Sequence, residues 1–141
     1  MLIIGHRGAS ARLPENTLES FRGAIADGAD GVELDVRLSS DGTPVVIHDP
    51  TLKRTSGVRR RVASLTAREL GTYGVPTLDA ALELTGETGS IVYVELKGDG
   101  LEPAVARAFD RHVCHDRAVA LSFNHASVRR LRAIDDRIVA A

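Results

Sequence analysis

Short β-branched runs alternate with stretches whose apolar residues recur at helical spacing, and this alternation predicts βαβ units around a parallel sheet. Residues 2–5 form the first predicted strand. Within 17–26, apolar Leu18, Phe21 and Ile25 share one helical face, and Gly28 stands where a glycine ends a helix. Residues 31–36 predict the second strand. Asp41-Gly42 then makes a tight turn into a third, 44–48. So short a link lets these two strands pair antiparallel, unless a bend intervenes. Residues 50–75 are polar and read as a long loop with one short helix near Thr66. Beyond it the pattern gives a helix over 77–85 with Thr77 as N-cap, a strand at 90–96, a helix at 102–111, a strand at 118–123, a helix at 127–134 and the start of a strand at 138–141. No repeat, low-complexity tract or linker divides the chain, so residues 1–141 are expected to form one domain.

Composition narrows the setting. The 141 residues, 43% apolar and 26% charged, suit one soluble globular unit with a core. A formal charge of −1 gives no broad attraction to nucleic acid or anionic membrane, so any phosphate must be held by a local site. Cys114 is the only cysteine, which points to a reducing compartment. The apolar start before His6 is too short for a signal-peptide core and no stretch is long enough for a membrane span, so the expected location is the cytoplasm.

The polar positions inside the strands carry the chemistry. Glu33 and Asp35 are two apart on the second strand and share a face; Glu95 and Lys97 do the same on the fourth. Clustered carboxylates in a covered sheet repel one another and lose hydration unless a cation joins them. Three oxygen donors suit Mg²⁺ or Ca²⁺ better than Zn²⁺; the alternative is an exposed antiparallel face with its charges outward. His6 and His48 follow the first and third strands, at the strand ends where parallel α/β folds bind ligands. A histidine pair can supply both a proton donor and a proton acceptor. Arg7 can grip a phosphate by a two-pronged hydrogen bond, or be an ordinary surface arginine.

Taken in order, His6-Arg-Gly-Ala-Ser, Pro14-Glu-Asn-Thr17, Glu33-Leu-Asp35, Asp41-Gly42, His48-Asp49 and Val94-Glu-Leu-Lys97 closely resemble the glycerophosphodiester phosphodiesterase family, in its compact bacterial form. The resemblance implies a TIM-barrel (β/α)8-type fold and hydrolysis of glycerophosphodiesters to glycerol 3-phosphate and an alcohol. It implies Glu33, Asp35 and Glu95 as ligands of a divalent metal, His6 and His48 as the acid–base pair, Arg7 as the phosphate holder and Lys97 as support for the site. Two other readings stand beside it: a catalytically weak fragment that binds phosphate or a partner chain, and a related lipid-cleaving phospholipase D.

Weaker signals are read conservatively. His112-Val-Cys114-His115 matches no standard zinc spacing and is expected to be a loop between helix and strand. Arg59 to Arg61 reads as a solvated stretch, with contact to an anionic head group as the alternative. Gly5 and Gly8 flank His-Arg, but no Gly-Lys-Ser/Thr follows, which excludes a nucleotide P-loop. Ser122 and His125 are positioned to touch substrate. A barrel of this kind takes about 250 residues. This chain holds only about the first five to six β/α units, and no tryptophan. Bare strand edges and an uncovered apolar face are therefore expected to make it self-associate through the open side, or to belong to a longer enzyme.

Overall fold

The computed structural model describes all 141 residues. Five strands run parallel in the order β1 (Ile4–His6), β2 (Gly31–Leu38), β4 (Ile91–Leu96), β5 (Ala118–Leu121) and β6 (Val139–Ala140). Between them α1 (Leu18–Ala26), α4 (Leu78–Thr88), α5 (Glu102–Arg111) and α6 (His125–Ile134) pack on one side. The result is a partial (β/α) barrel. Its core lies between sheet and helices: Val32, Leu34, Val92, Val94 and Ala120 meet Phe21, Leu82, Phe109 and Leu131, all fully buried. The other face of β4, with Ile91, Tyr93 and Glu95, is only half-buried because it lines the inside of the barrel.

Local chemistry sets the helix ends. Thr17 and Thr77 cap α1 and α4, their hydroxyls accepting from Ser20 N and Ala80 N. Gly89, in the left-handed region at φ 66°, ends α4 three residues later than the periodicity predicts. Thr66 and Glu69 form a reciprocal capping box at α3 (Ala67–Gly71), where a short helix is expected.

Three expectations need correction. The first strand is shifted, so that His6 is its last residue rather than the residue after it. The stretch expected as mainly loop also contains α2 (Lys53–Ser56) and a 3₁₀ turn at Val62–Ser64, built around a second core of Val45, Ile47, Leu52, Val62, Leu65, Leu70 and Val75. The predicted third strand is shorter, β3 (Pro44–Val46), and it pairs antiparallel with β2, as the short link allows, so it takes no place in the parallel series. The third strand of the barrel proper is β4.

The placement of β3 has a functional result. Val36 pairs with Leu96 of β4 on one side and with Val46 of β3 on the other, so β3 occupies the same edge of β2 that β1 uses lower down. β2 overshoots the rim, and β3 folds back along it toward the end of β1. Arg7 N donates to Glu33 O and Ile47 N to Asp35 O, so the chain just after His6 and the chain just before His48 meet the β2 edge two residues apart.

Candidate active site at the barrel rim

At this rim Glu33, Asp35 and Glu95 converge, each offering a carboxylate oxygen within 4.8 Å of the others. Asp35 and Glu95 are register partners across β2 and β4, and Glu33 lies two residues along the same face. Asp35 is fully buried, and its Oδ1 has no hydrogen-bond partner. Burial, and then the neighbouring charge of Asp35, push the Glu33 carboxyl above its ordinary range. Two cations offset part of this charge. Lys97 Nζ sits 2.6 Å from Glu95 Oε1 and 3.5 Å from Asp35 Oδ1, and Arg7 Nε sits 3.1 Å from Asp35 Oδ2. A buried carboxylate oxygen left without a donor, inside a convergent set of hard oxygen ligands, fits a divalent cation.

The histidines stand on either side. His6 Nε2 is 3.7 Å from Glu33 Oε2, and its side chain is 71% exposed. His48 makes no hydrogen bond or ion pair with the three acids; its Nδ1 pairs with Asp49 Oδ1 at 2.8 Å. Its backbone carbonyl accepts from Arg37 Nε at 2.7 Å, and Arg37 Nη1 donates to Lys97 O at 2.7 Å, which ties the His48 segment to the end of β4.

Several polar residues here lie outside the set expected from sequence. Asn16, buried and left-handed at φ 57°, donates from Nδ2 to Asp35 Oδ2 (3.0 Å) and accepts at Oδ1 from Asp35 N (3.3 Å). It thereby fills the gap on the β2 edge between β1 and β3. A chain of ion pairs runs from Asp35 to Arg7, Glu15, Arg54, Asp49 and His48. The Arg54 guanidinium, gripping both carboxylates, holds Glu15 below its usual value; Arg54 and then His48 do the same to Asp49. The signal for Glu15, Asn16 and Asp49 was present in Pro14-Glu-Asn-Thr17 and His48-Asp49, but neither run has periodicity to say where its side chains point, and Arg54 lies in no such run. Arg7 is itself left-handed (φ 56°), and Gly8 (φ 80°) lies against Ser20, so the turn after β1 is tightly specified.

The family model for "Glycerophosphoryl diester phosphodiesterase family" matches residues 6–140. This chain belongs to that family. Among its curated members, a glycerophosphodiester phosphodiesterase of Caldanaerobacter subterraneus subsp. tengcongensis is 36% identical over 93% of this chain and 61% of its own length. The crystal structure of the family member from Agrobacterium tumefaciens superposes with a TM-score of 0.90 at 33% identity, over 99% of this chain and 65% of that one. An Oleispira antarctica phosphodiesterase, solved in complex with the product sn-glycerol-3-phosphate, superposes with a TM-score of 0.89 at 32% identity, over 99% and 64%. The fold is part of the family's TIM barrel, and the chain spans less than two thirds of these relatives.

The weaker sequence signals separate. Ser122 and His125 line a cleft of about 340 Å³ beside Glu95, together with Phe123, whose ring lies 5.7 Å from Lys97 Nζ. His112 and His115 do not converge: His112 pairs with Asp79 and His115 with Asp135, while Cys114 is buried with its thiol toward Phe109 O. His115 does approach Asp110 and Asp135, but Arg137 bonds to both carboxylates and supplies their positive charge. No helix is long and apolar enough to cross a membrane.

Proposed function

We propose that residues 1–141 form one partial-barrel domain carrying the catalytic rim of a divalent-cation-dependent hydrolase, which splits glycerophosphodiesters into glycerol 3-phosphate and an alcohol. The observation that carries this is the convergence of Glu33, Asp35 and Glu95, with Asp35 Oδ1 buried and without a donor. These three residues would hold Mg²⁺ or Ca²⁺. The cation, when bound, offsets the charge that builds on a non-bridging oxygen as phosphorus gains a fifth ligand. Arg7, anchored to Asp35 and Glu15, holds the phosphate, and Lys97 balances the acid cluster. His6 and His48 divide the proton transfers. One takes the proton from the glycerol hydroxyl that attacks phosphorus, the other protonates the departing alcohol oxygen, and water then opens the cyclic phosphate. The Nδ1 contact with Asp49 orients His48 and leaves its Nε2 for the substrate. The Oleispira relative, solved with glycerol 3-phosphate, supports this choice of substrate. The single cysteine supports a cytoplasmic setting.

The test is cation-dependent release of glycerol 3-phosphate from glycerophosphocholine. Chelation or Glu33→Ala abolishes it, and His48→Ala lowers kcat by about 100-fold or more. Turnover that survives Glu33→Ala refutes the reading. A second reading, a binding half that turns over only when further strands complete it, is favoured by the exposed Leu2, Ile3 and Val139 along the two sheet edges. Native mass separates them: a 15.1 kDa monomer that is active excludes the second.

A further inference from the structure

Residues 50–76 carry Lys53, Arg54, Arg59, Arg60, Arg61 and Arg68 against one acid, Glu69, in a chain of formal charge −1. Arg54 is engaged by Glu15 and Asp49, and Glu69 caps α3. The other cations of the segment form no ion pair. Of these, Arg61 alone reaches a particular concavity, a cleft of about 320 Å³ shared with Arg37, Lys97, Leu38, Pro50 and Asp99.

Three features of this cleft favour an anion. Arg37 is half-buried, and its hydrogen bonds end on the neutral carbonyls of His48 and Lys97; Asp35 and Asp49 act on its charge from nearby, but neither carboxylate bonds to it. A guanidinium held in place with no carboxylate bonded to it is pre-ordered for an anionic oxygen. Arg61 lines the same cleft, on a backbone held by its bridge to Thr51. Asp99, the one acid present, is exposed and pairs with neither arginine. The cleft also adjoins the acid cluster, because Lys97 lines it while placing Nζ 2.6 Å from Glu95 Oε1.

The chemistry of the substrate decides what anion fits. Beyond the scissile phosphate, the glycerol half of a glycerophosphodiester carries only hydroxyl groups, so a second anionic group must belong to the alcohol half. We propose that the Arg37–Arg61–Lys97 cleft is a subsite for a phosphate monoester on the alcohol half, and that the favoured substrates are glycerophosphodiesters of phosphorylated alcohols. A dianionic phosphate matches the Arg61 guanidinium and the Nη2 of Arg37, which the two carbonyls leave free, whereas the quaternary ammonium of choline meets like charge there. The inference rests on the hydrolase reading for its biological meaning, but its test does not.

The 141-residue chain is titrated calorimetrically with inositol 4-phosphate and, separately, with choline. The expected result is saturable binding of inositol 4-phosphate, a Kd raised about tenfold by Arg61→Ala, little change in Arg59→Ala, and no binding of choline. Arg59 is the control because it is an exposed neighbour that does not line the cleft. Absence of binding, an unchanged Kd in Arg61→Ala, or an equal loss in Arg59→Ala overturns the subsite; the last outcome means only a diffuse positive field. Glycerol 3-phosphate release from glycerophosphocholine and from glycerophosphoinositol 4-phosphate is followed in parallel. Arg61-dependent binding without turnover of either diester defeats the hydrolase reading and leaves the subsite standing. Turnover with Arg61-independent binding defeats the subsite alone.

Discussion

Replacing Asn16 with alanine removes the side chain that completes the β2 edge at the acid cluster. Two interactions disappear together. The amide donor to the Asp35 carboxylate is a hydrogen bond to a charged group, worth about 2 kcal/mol, and the acceptor for Asp35 N is a neutral one, worth about 1 kcal/mol. Alanine must also adopt the left-handed backbone that asparagine tolerates at φ 57°, for about 1 kcal/mol more. The combined loss is about 4 kcal/mol, and water entering the vacated space recovers part of it. The midpoint of urea unfolding, followed by circular dichroism, should therefore fall by about 2 M with little change in slope. Asn16→Gly separates the contributions. It relieves the backbone strain and should recover about 1 kcal/mol while still lacking both hydrogen bonds. Because Asp35 also loses its orienting partner, Mg²⁺ affinity by calorimetry should drop by about 10- to 100-fold in both variants. A midpoint shift below about 0.5 M in Asn16→Ala, or cation affinity equal to wild type, refutes the idea that Asn16 holds Asp35 in place.

Two further predictions test the frame around the site. Gly8→Ala sets a methyl group against Ser20, 2.6 Å from its carbonyl carbon, at φ 80°, and should lower stability by at least about 2 kcal/mol in the same urea assay; a loss under 0.5 kcal/mol refutes the close-packing argument. Glu102 is buried between Ser127 and Arg130: burial raises its pKa, but the Ser127 hydroxyl and the Arg130 guanidinium outweigh it, leaving the carboxyl below 4.5. A depressed carboxyl stabilises the fold above its unfolded pKa and loses that contribution as pH falls through the folded value. Unfolding midpoints of wild type should thus fall more steeply below about pH 4.5 than those of Glu102→Gln, and parallel curves would refute the assignment.

Much of the frame was legible because strands and helices announce themselves by period. Glu33 and Asp35 share a face by alternation alone, as do Glu95 and Lys97, and the structure brings both pairs to one rim. Thr77 read correctly as an N-cap because a hydroxyl before an apolar periodic run has one common use. What escaped was non-local. The short Asp41-Gly42 link allows the antiparallel pairing of Pro44-Val-Val46, but nothing within that run chooses it over a barrel strand, since both are short β-branched runs. The roles of Asn16, Glu15 and Arg54 depend on loops closing over 19, 39 and 5 residues, which no local pattern encodes. The α2 and 3₁₀ turns were missed because they are too short to show a helical repeat. They are stabilised instead by the small core beneath them.

That small core gives the excursion an autonomy the rest of the rim lacks. Val45, Ile47, Leu52, Val62, Leu65, Leu70 and Val75 pack on one another apart from the main cluster, while Arg54 clamps the excursion to the rim through Glu15 and Asp49. The exposed side chains of Arg59, Arg60 and Arg61, on its surface, can therefore change in charge without disturbing either core or the acid cluster. A new preference for the leaving group can arise there while the bond-breaking machinery stays as it is.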